Sequence, residues 1–296
     1  MRTRAGVAYA VAAFVTWGVL PVYYKAVAEV PALEVLAHRI VWSLVLLTLL
    51  LTWSKRWPEV RAALADRRTR LWMVVSALLV SVNWFTFIYA IAHDRVVDCS
   101  LGYFMNPLVN VLLGTWLLKE RLRPAQKLAV AIAALAVTAL TVAHGSLPWV
   151  SLVLASTFAL YALVRKTVRV DALAGLGVET MMLAPLALGY LVWLERQGVG
   201  HFGHGDRISL LLICAGPVTA LPLLWFVAGA RRLRFSTLGL LQYLAPTLHF
   251  LLGVLVYGEP FPPLRAAAFM AVWLALAIFT ADGLRAYRAA QSRADS

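Results

Sequence analysis

Two stretches of this chain share a pattern that decides its fold. Residues 107–124 read PLVNVLLGTWLLKERLRP, and residues 246–263 read PTLHFLLGVLVYGEPFPP. A proline, a Leu-Leu-Gly triplet, a glutamate and a second proline recur at a constant offset of 139 positions. A weaker match, at an offset of 141, aligns Lys25 with Lys166. Self-similarity at one fixed period predicts that the chain consists of two related halves.

The composition places both halves in a membrane. Of the 296 residues, 62% are hydrophobic and 14% are charged, and the mean hydropathy is +0.79. A soluble domain carries roughly a quarter charged residues. The apolar residues fall in blocks of about twenty, the length that a helix needs to cross a hydrocarbon core of roughly 30 Å. These features exclude a water-soluble globule and predict a polytopic membrane protein.

We predict an all-α polytopic membrane protein with ten transmembrane helices in two inverted five-helix repeats. Five spans per half is an odd number, so the second half is inverted in the membrane relative to the first. The repeats are expected at 1–143 and 144–284, followed by a cytoplasmic tail at 285–296. The sixth span is short as drawn, and we expect it to continue past Arg165, with its basic side chains reaching for the membrane interface. The spans are predicted at 5–28, 33–53, 71–92, 99–118, 125–143, 150–164, 172–194, 208–230, 235–257 and 264–284.

The charge distribution predicts the orientation. The chain has 27 Lys and Arg residues against 14 Asp and Glu residues. With the N-terminus inside, 21 basic residues lie in or next to cytoplasmic segments and four lie outside. Cytoplasmic loops collect Lys and Arg, so both termini are predicted to be cytoplasmic and the basic surplus requires no nucleic acid. Cys99 and Cys214 have no metal-ligand neighbours, so neither a zinc site nor another cofactor is expected.

The motifs and the repeat together favour transport. The sequence has no nucleotide-binding glycine loop, zinc spacing or nucleophile elbow, which argues against an ATP-driven pump or a membrane hydrolase. Inverted repeats are typical of secondary transporters, whose binding site lies between the halves. Two alternatives are an intramembrane lipid-modifying enzyme, with His38 and Glu179 as acid and base, and a non-transporting membrane scaffold.

Several short motifs place polar and aromatic residues in or beside the predicted spans. They are Trp17-Gly18-x-x-Pro21-x-Tyr23-x-Lys25, Pro31-Ala32-x-Glu34-x-x-x-His38-Arg39-x-x-Trp42-Ser43, Asn83-Trp84, Gly102-Tyr103-x-x-Asn106-Pro107-Leu108 and Gln242-Tyr243-x-x-Pro246-Thr247. With them, the chain resembles, over nearly its full length, the RarD group of EamA-type permeases in the drug/metabolite transporter superfamily. The resemblance implies ten helices in two inverted repeats, a bacterial inner-membrane location, and export or exchange of small metabolites or drugs.

Ionisable groups inside spans are the first candidates for a substrate pathway, because burying them in a membrane is costly. Our hypothesis is that Arg39, with His38, orients an anionic or polar substrate group, while Glu179 binds a cationic group or a proton. His38 and Glu179 are repeat equivalents at the offset of 141. The alternative is that Arg39 and Glu179 are structural residues that complete ion pairs or satisfy helices.

Other polar and aromatic residues in the spans extend the predicted pathway. The amides and His249 are candidates for substrate contact or for interhelical hydrogen bonds, and the aromatic rings are candidates to line a cavity. The expected partners are a small-molecule substrate and the lipid bilayer. The alanine-rich fifth and tenth spans are expected either to pack within the fold or to form a homodimer face. The complete predicted pathway is His38, Arg39, Asn83, Trp84, Tyr103, Asn106, Asn110, Glu179, Gln242, Tyr243 and His249.

Overall fold

The computed structural model describes residues 2–118, 122–144, 146–168, 170–203, 207–230, 232–233 and 241–294. Within these ranges the regular structure is entirely helical. The helix that begins at Leu244 continues into a π-helical segment, Leu252–Val256. The helices are α1 (Arg2–Ala26), α2 (Ala32–Trp53), α3 (Trp57–Ala65), α4 (Arg67–Ala92), α5 (Val96–Leu118), α6 (Pro124–His144), α7 (Trp149–Thr167), α8 (Ala172–Gln197), α9 (Arg207–Ala230), α10 (Leu244–Leu251) and α11 (Pro263–Ala294).

The apolar helices confirm the predicted fold class. Among the described residues, eight helices are long and apolar enough to cross a membrane, and two shorter apolar segments, Trp149–Arg165 and Leu244–Val256, complete the predicted ten. The sixth span continues past Arg165 and ends at Thr167, as expected. The first residues of the ninth predicted span, 235–240, lie outside the described residues. The chain is an all-α polytopic membrane protein.

One helix was not predicted. The segment between the second and third spans is predicted as a loop, but α3 lies within it. Pro58 stands in the first turn of α3, where its missing N–H leaves no hydrogen bond unmade. Val60 and Ala63, three residues apart on one face, are buried where α3 packs on α8. With only nine residues, α3 is too short to give a recognisable apolar period.

Two carboxylates cap helices in the connections. Asp66 accepts a hydrogen bond from the backbone N–H of Thr69 at 2.8 Å at the start of α4, and the hydrogen bonding by Thr69 lowers the pKa of the Asp66 carboxyl. Glu259 accepts from the backbone N–H groups of Val96 at 2.5 Å and Val97 at 2.9 Å, which open α5. Burial raises the pKa of the Glu259 carboxyl. The repeated glutamate therefore ties the end of the ninth span to the start of the fourth.

The main helix contacts between the two predicted halves are preserved when the halves are exchanged. Helix α1, the first of the first half, packs on α9, and α7, the first of the second half, packs on α4. In the same way α1 packs on α10 while α7 packs on α5, and the corresponding pairs α2 with α8, α5 with α10, and α6 with α11 are in direct contact. This exchange is expected of two repeats related by a pseudo-two-fold axis. The division at 1–143 and 144–284 stays a prediction, which the contacts support.

The alanine-rich helices α6 and α11 pack against each other. Ala129 and Ala133 of α6 are buried in one cluster with Ala268 and Ala275 of α11. Small side chains allow two helices in a membrane to approach closely. Of the two roles expected for these spans, packing within the fold is therefore observed, and a homodimer face stays a prediction.

Candidate functional site

The main polar feature of the interior is a continuous set of side chains from α1, α2, α4, α5 and α10. It lies where the two predicted halves meet, because α10 belongs to the second half and the other four helices to the first. We term it the Arg39 cluster. Its members are Tyr24, Arg39, Asn83, Trp84, Phe87, Tyr103 and His249.

Arg39 provides the charge of this cluster. Its side chain extends from α2, its Nη1 donates a hydrogen bond to the Tyr24 hydroxyl at 2.7 Å, and its Cζ lies 3.9 Å from the centroid of the Trp84 ring. The residue is only 6% exposed, and its Nε–H has no hydrogen-bond partner. Among the described residues no carboxylate lies within 4.0 Å of the guanidinium. Arg39 is therefore a buried cation whose described neighbours are neutral.

Aromatic rings continue the cluster away from Arg39. The ring of Phe87 lies 5.8 Å from that of Tyr24, 5.8 Å from that of Tyr103 and 5.3 Å from that of His249. Nε2 of His249 is 3.0 Å from the backbone oxygen of Trp17, while its Nδ1 is buried without a partner. The cluster thus combines one cation with an aromatic layer and one free imidazole nitrogen.

Asn83 connects the cluster to the second half. Its Nδ2 donates to the Leu154 carbonyl at 3.0 Å and to the Thr157 hydroxyl at 2.9 Å, both on α7. Its Oδ1 accepts from the Tyr103 hydroxyl at 3.4 Å. Both ends of the amide are hydrogen-bonded within the protein, so this residue fits the alternative of interhelical hydrogen bonding.

A second buried group, which we term the Glu179 cluster, consists of Ser76, Tyr161, Arg165 and Glu179. The Glu179 carboxylate is 1% exposed and accepts from the Ser76 hydroxyl at 2.5 Å and from the Tyr161 hydroxyl at 3.3 Å. Nε of Arg165 lies 3.8 Å from the same carboxylate. Ser76 and Asn83 are two turns apart on α4, so the two clusters are separated by about 10 Å along that helix. Glu179 is therefore a buried anion with a counter-ion.

The structure brings five of the predicted pathway residues together in the Arg39 cluster. They are Arg39, Asn83, Trp84, Tyr103 and His249.

His38 does not join them. Its ring lies 4.9 Å from that of Phe202, and neither of its nitrogens has a hydrogen-bond partner. Neighbouring residues of a helix point about 100° apart, so Arg39 and His38 face different surroundings.

The remaining predicted residues lie outside the Arg39 cluster. Glu179 belongs to its own cluster. Tyr243 packs against Phe104 with ring centroids 6.3 Å apart. Asn106 is buried with its Oδ1 unpaired, whereas Asn110 and Gln242 are exposed.

Five members of the two clusters were not predicted: Ser76, Tyr24, Phe87, Tyr161 and Arg165. The sequence contains a signal that relates two of them, because Tyr24 and Arg165 are repeat equivalents at the offset of 141. Arg165 is predicted to lie at the membrane interface, since long basic side chains near helix ends usually reach for water. Instead its side chain turns inward, and its Nη2 also donates to the Asp171 carbonyl at 3.2 Å.

Glu34 is a further buried carboxylate that was not predicted as a functional residue. It is 1% exposed and accepts from the backbone N–H of His201 at 2.7 Å, and its other oxygen is 2.8 Å from Nδ1 of the same residue. This contact ties the connection after α8 to the start of α2. The described residues contain no group of three or more His, Cys, Asp or Glu side chains that could hold a metal ion.

Comparisons with known proteins show which family this chain belongs to. The EamA-like transporter family matches residues 4–142. An uncharacterized transporter of Vibrio cholerae is 46% identical over 97% of this chain and 96% of its own length. Protein RarD of Escherichia coli is 43% identical over 97% of each chain. The chloramphenicol-sensitive protein RarD of Pseudomonas aeruginosa is 35% identical over 96% of each chain.

A solved crystal structure shows the same fold. It matches with a TM-score of 0.58 at 19% sequence identity, covering 93% of this chain and 97% of its own. The sequence relatives are bacterial and extend over nearly the whole of this chain. The chain therefore belongs to the EamA-like transporter family and is a multi-pass membrane transporter of the RarD type.

Proposed function

We propose that the chain is a secondary transporter that exports a small metabolite or drug by alternating access, with the Arg39 cluster as its binding site. The observation that carries this proposal is the position of a buried, unpaired guanidinium where the two predicted halves meet. Ionisable groups inside a membrane usually face a cavity or a partner. In inverted-repeat transporters the substrate site lies between the repeats, near the middle of the bilayer.

The alternation follows from the exchange of helix contacts. The packing of α1 on α9 and of α7 on α4 supports this mechanism, in which the two halves take two related packing arrangements, one open to each side. Contacts at the predicted outer end have to break when that side opens. They include the hydrogen bonds between Glu34 of the first half and His201 of the second.

The proposed setting is the bacterial inner membrane, with both termini in the cytoplasm. The bias of basic residues towards one set of connections supports this orientation. Without a nucleotide-binding motif, the transporter uses an existing gradient or moves its substrate downhill.

Transport is favoured over lipid modification. An acid and a base that act on one substrate have to reach the same bond. His38 packs against Phe202, whereas Glu179 is held by Ser76, Tyr161 and Arg165. The two candidates for acid and base therefore belong to separate sets of contacts.

The test is an untargeted mass-spectrometric comparison of internal and external metabolites. The strains lack the protein, overproduce it, or overproduce Arg39→Gln or Arg196→Gln at the same membrane level. Arg196 is exposed at the end of α8, so its variant makes the same charge change outside the cluster. We expect a compound that moves outward with the native protein and the Arg196→Gln variant, but not with Arg39→Gln. Equal export by both variants contradicts the proposed site, and no shifted compound in any strain contradicts export.

A further inference from the structure

We propose that the Arg39 cluster is an anion site, and that its ligand is a small organic anion, a carboxylate or a comparable monoanion, on a planar aromatic body. This inference rests on the proposed function, since it names the class of compound that the site carries.

The Arg39 guanidinium has no counter-ion among the described residues. The described polar contacts of the Arg39 guanidinium are the Tyr24 hydroxyl and the face of the Trp84 ring, which are both neutral. The one acidic residue of α2, Glu34, is already bound to His201. A charge inside a membrane protein is normally paired, because an isolated one is costly to bury. A bound anion supplies the charge that the described neighbours lack.

The Nε–H of Arg39 is a hydrogen-bond donor without a partner. Trp84 covers one face of the guanidinium, and Tyr24 occupies Nη1, so the unpartnered Nε–H remains on the edge of the guanidinium plane. An arginine edge fits a planar carboxylate, because N–H donors and carboxylate oxygens align in one plane. Arg39 therefore keeps a buried, unpartnered donor of the kind that such a group accepts from.

The aromatic rings of the Arg39 cluster indicate the body of the ligand. The rings of Phe87, Tyr103 and His249 lie within 5.8 Å of one another by their centroids. Aromatic surfaces of this kind favour flat or apolar groups. The unpartnered Nδ1 of His249 offers one polar contact within this layer. The combination selects an aromatic anion over an aliphatic cation or a sugar.

Sodium benzoate is the probe for the test, with benzamide as a neutral compound of the same shape and benzylammonium as a cation. Thermal unfolding of the full-length protein in detergent is followed at ~1–10 mM of each compound, a range that detects weak binding. We expect benzoate to raise the unfolding temperature in a saturable way, and the other two compounds to have no such effect. Arg39→Gln should weaken the apparent affinity for benzoate at least about tenfold, whereas Arg196→Gln should leave it unchanged.

Equal responses to benzoate and benzamide overturn the anion site, as does an unchanged benzoate response in Arg39→Gln. If that variant does not fold, Arg39→Lys serves in its place. Arg39→Lys keeps the charge and loses the planar fork, so benzoate should bind more weakly but still better than benzamide. An exported neutral compound that depends on Arg39, with no benzoate response, refutes the anion class and leaves the transport proposal standing. A benzoate response with no exported metabolite refutes transport and leaves the anion site standing.

Discussion

The Arg39 and Glu179 clusters each contain a contact between the first two helices of one predicted half, yet they balance charge in opposite ways. At the repeat offset of 141, Tyr24 corresponds to Arg165 and His38 to Glu179. In each half a residue near the end of the first helix contacts a residue of the second helix, Tyr24 with Arg39 and Arg165 with Glu179. The second half therefore contains both charges of an ion pair, whereas the first contains a cation and a phenol.

This difference suggests different roles for the two buried charges. An ion pair within the chain stabilises its own half and needs no ligand. A buried cation whose described neighbours are neutral is kept at a cost to stability, and such costs are typical of functional sites. We therefore interpret Arg39 as a substrate-binding residue and Glu179 as a structural one. The sequence leaves both roles open for each of the two residues.

The largest expected difference concerns transport. Arg39→Gln should lower the initial efflux rate of the exported compound at least about tenfold, because the substrate loses a charge-assisted hydrogen bond. Glu179→Gln should keep the rate within about threefold of the native value once the amount of folded protein is matched, a change of less than 1 kcal/mol. Efflux is measured from cells that are first loaded with the exported compound. A larger loss in Glu179→Gln than in Arg39→Gln reverses the assignment of roles.

The second expected difference concerns stability. Glu179→Gln should lower the free energy of unfolding in detergent by about 3 kcal/mol, because it leaves Arg165 buried without its counter-ion. The bond from Arg165 to the Asp171 carbonyl remains and limits the loss. Arg39→Met should leave the stability unchanged or raise it, since an unpaired buried cation is replaced by an apolar side chain.

The double variant Glu179→Gln with Arg165→Met controls this comparison. With both charges removed, most of the lost stability should return, whereas the single losses add if the two side chains do not interact. Chemical unfolding in one detergent measures five proteins: the native chain, the double variant, and the single variants Arg39→Met, Glu179→Gln and Arg165→Met. If Arg39→Met loses as much stability as Glu179→Gln, Arg39 is structural too.

The sequence predicts much of this fold and part of each cluster. The apolar segments and their duplication are visible because composition and period are local properties of the chain. Buried polar residues such as Arg39 and His249 stand out in apolar spans. The pairing of Glu179 with Arg165 could not be predicted, because it depends on how α8 turns back against the end of α7. Which of His38 and Arg39 faces the Arg39 cluster depends on the rotation of α2, which the apolar pattern of a nearly uniform span does not define.

A smaller difference is expected for the two phenols. Tyr161→Phe removes a hydroxyl that donates to Glu179, and should cost about 1 kcal/mol of stability without slowing efflux. Tyr24→Phe removes the hydroxyl that accepts from Arg39 Nη1, so it should disturb the position of the guanidinium and raise the substrate concentration needed for half-maximal efflux. Efflux at several substrate concentrations, together with unfolding curves, separates the two effects. The same change in efflux for both variants contradicts the division of roles.

The smallest effect tests how Arg165 is held in place. A Cβ added at Gly175 would lie 1.9 Å from Nη1 of Arg165, so Gly175→Ala has to displace the guanidinium that faces Glu179. The matched control is Gly189→Ala in the same helix, where nothing lies within 4 Å of the added Cβ. The control should gain about 0.5 kcal/mol from helix propensity, and Gly175→Ala should lose about that amount.

A double-mutant cycle with Glu179→Gln identifies why Gly175→Ala lowers the stability. If Gly175→Ala destabilises the protein by moving Arg165 away from Glu179, it should cost little more once the carboxylate is gone, because the same interaction cannot be lost twice. Unfolding curves of the single and double variants in one detergent measure this coupling. Full additivity would mean that the alanine acts through steric crowding alone, and the ion pair would then contribute less to the second half than its burial suggests.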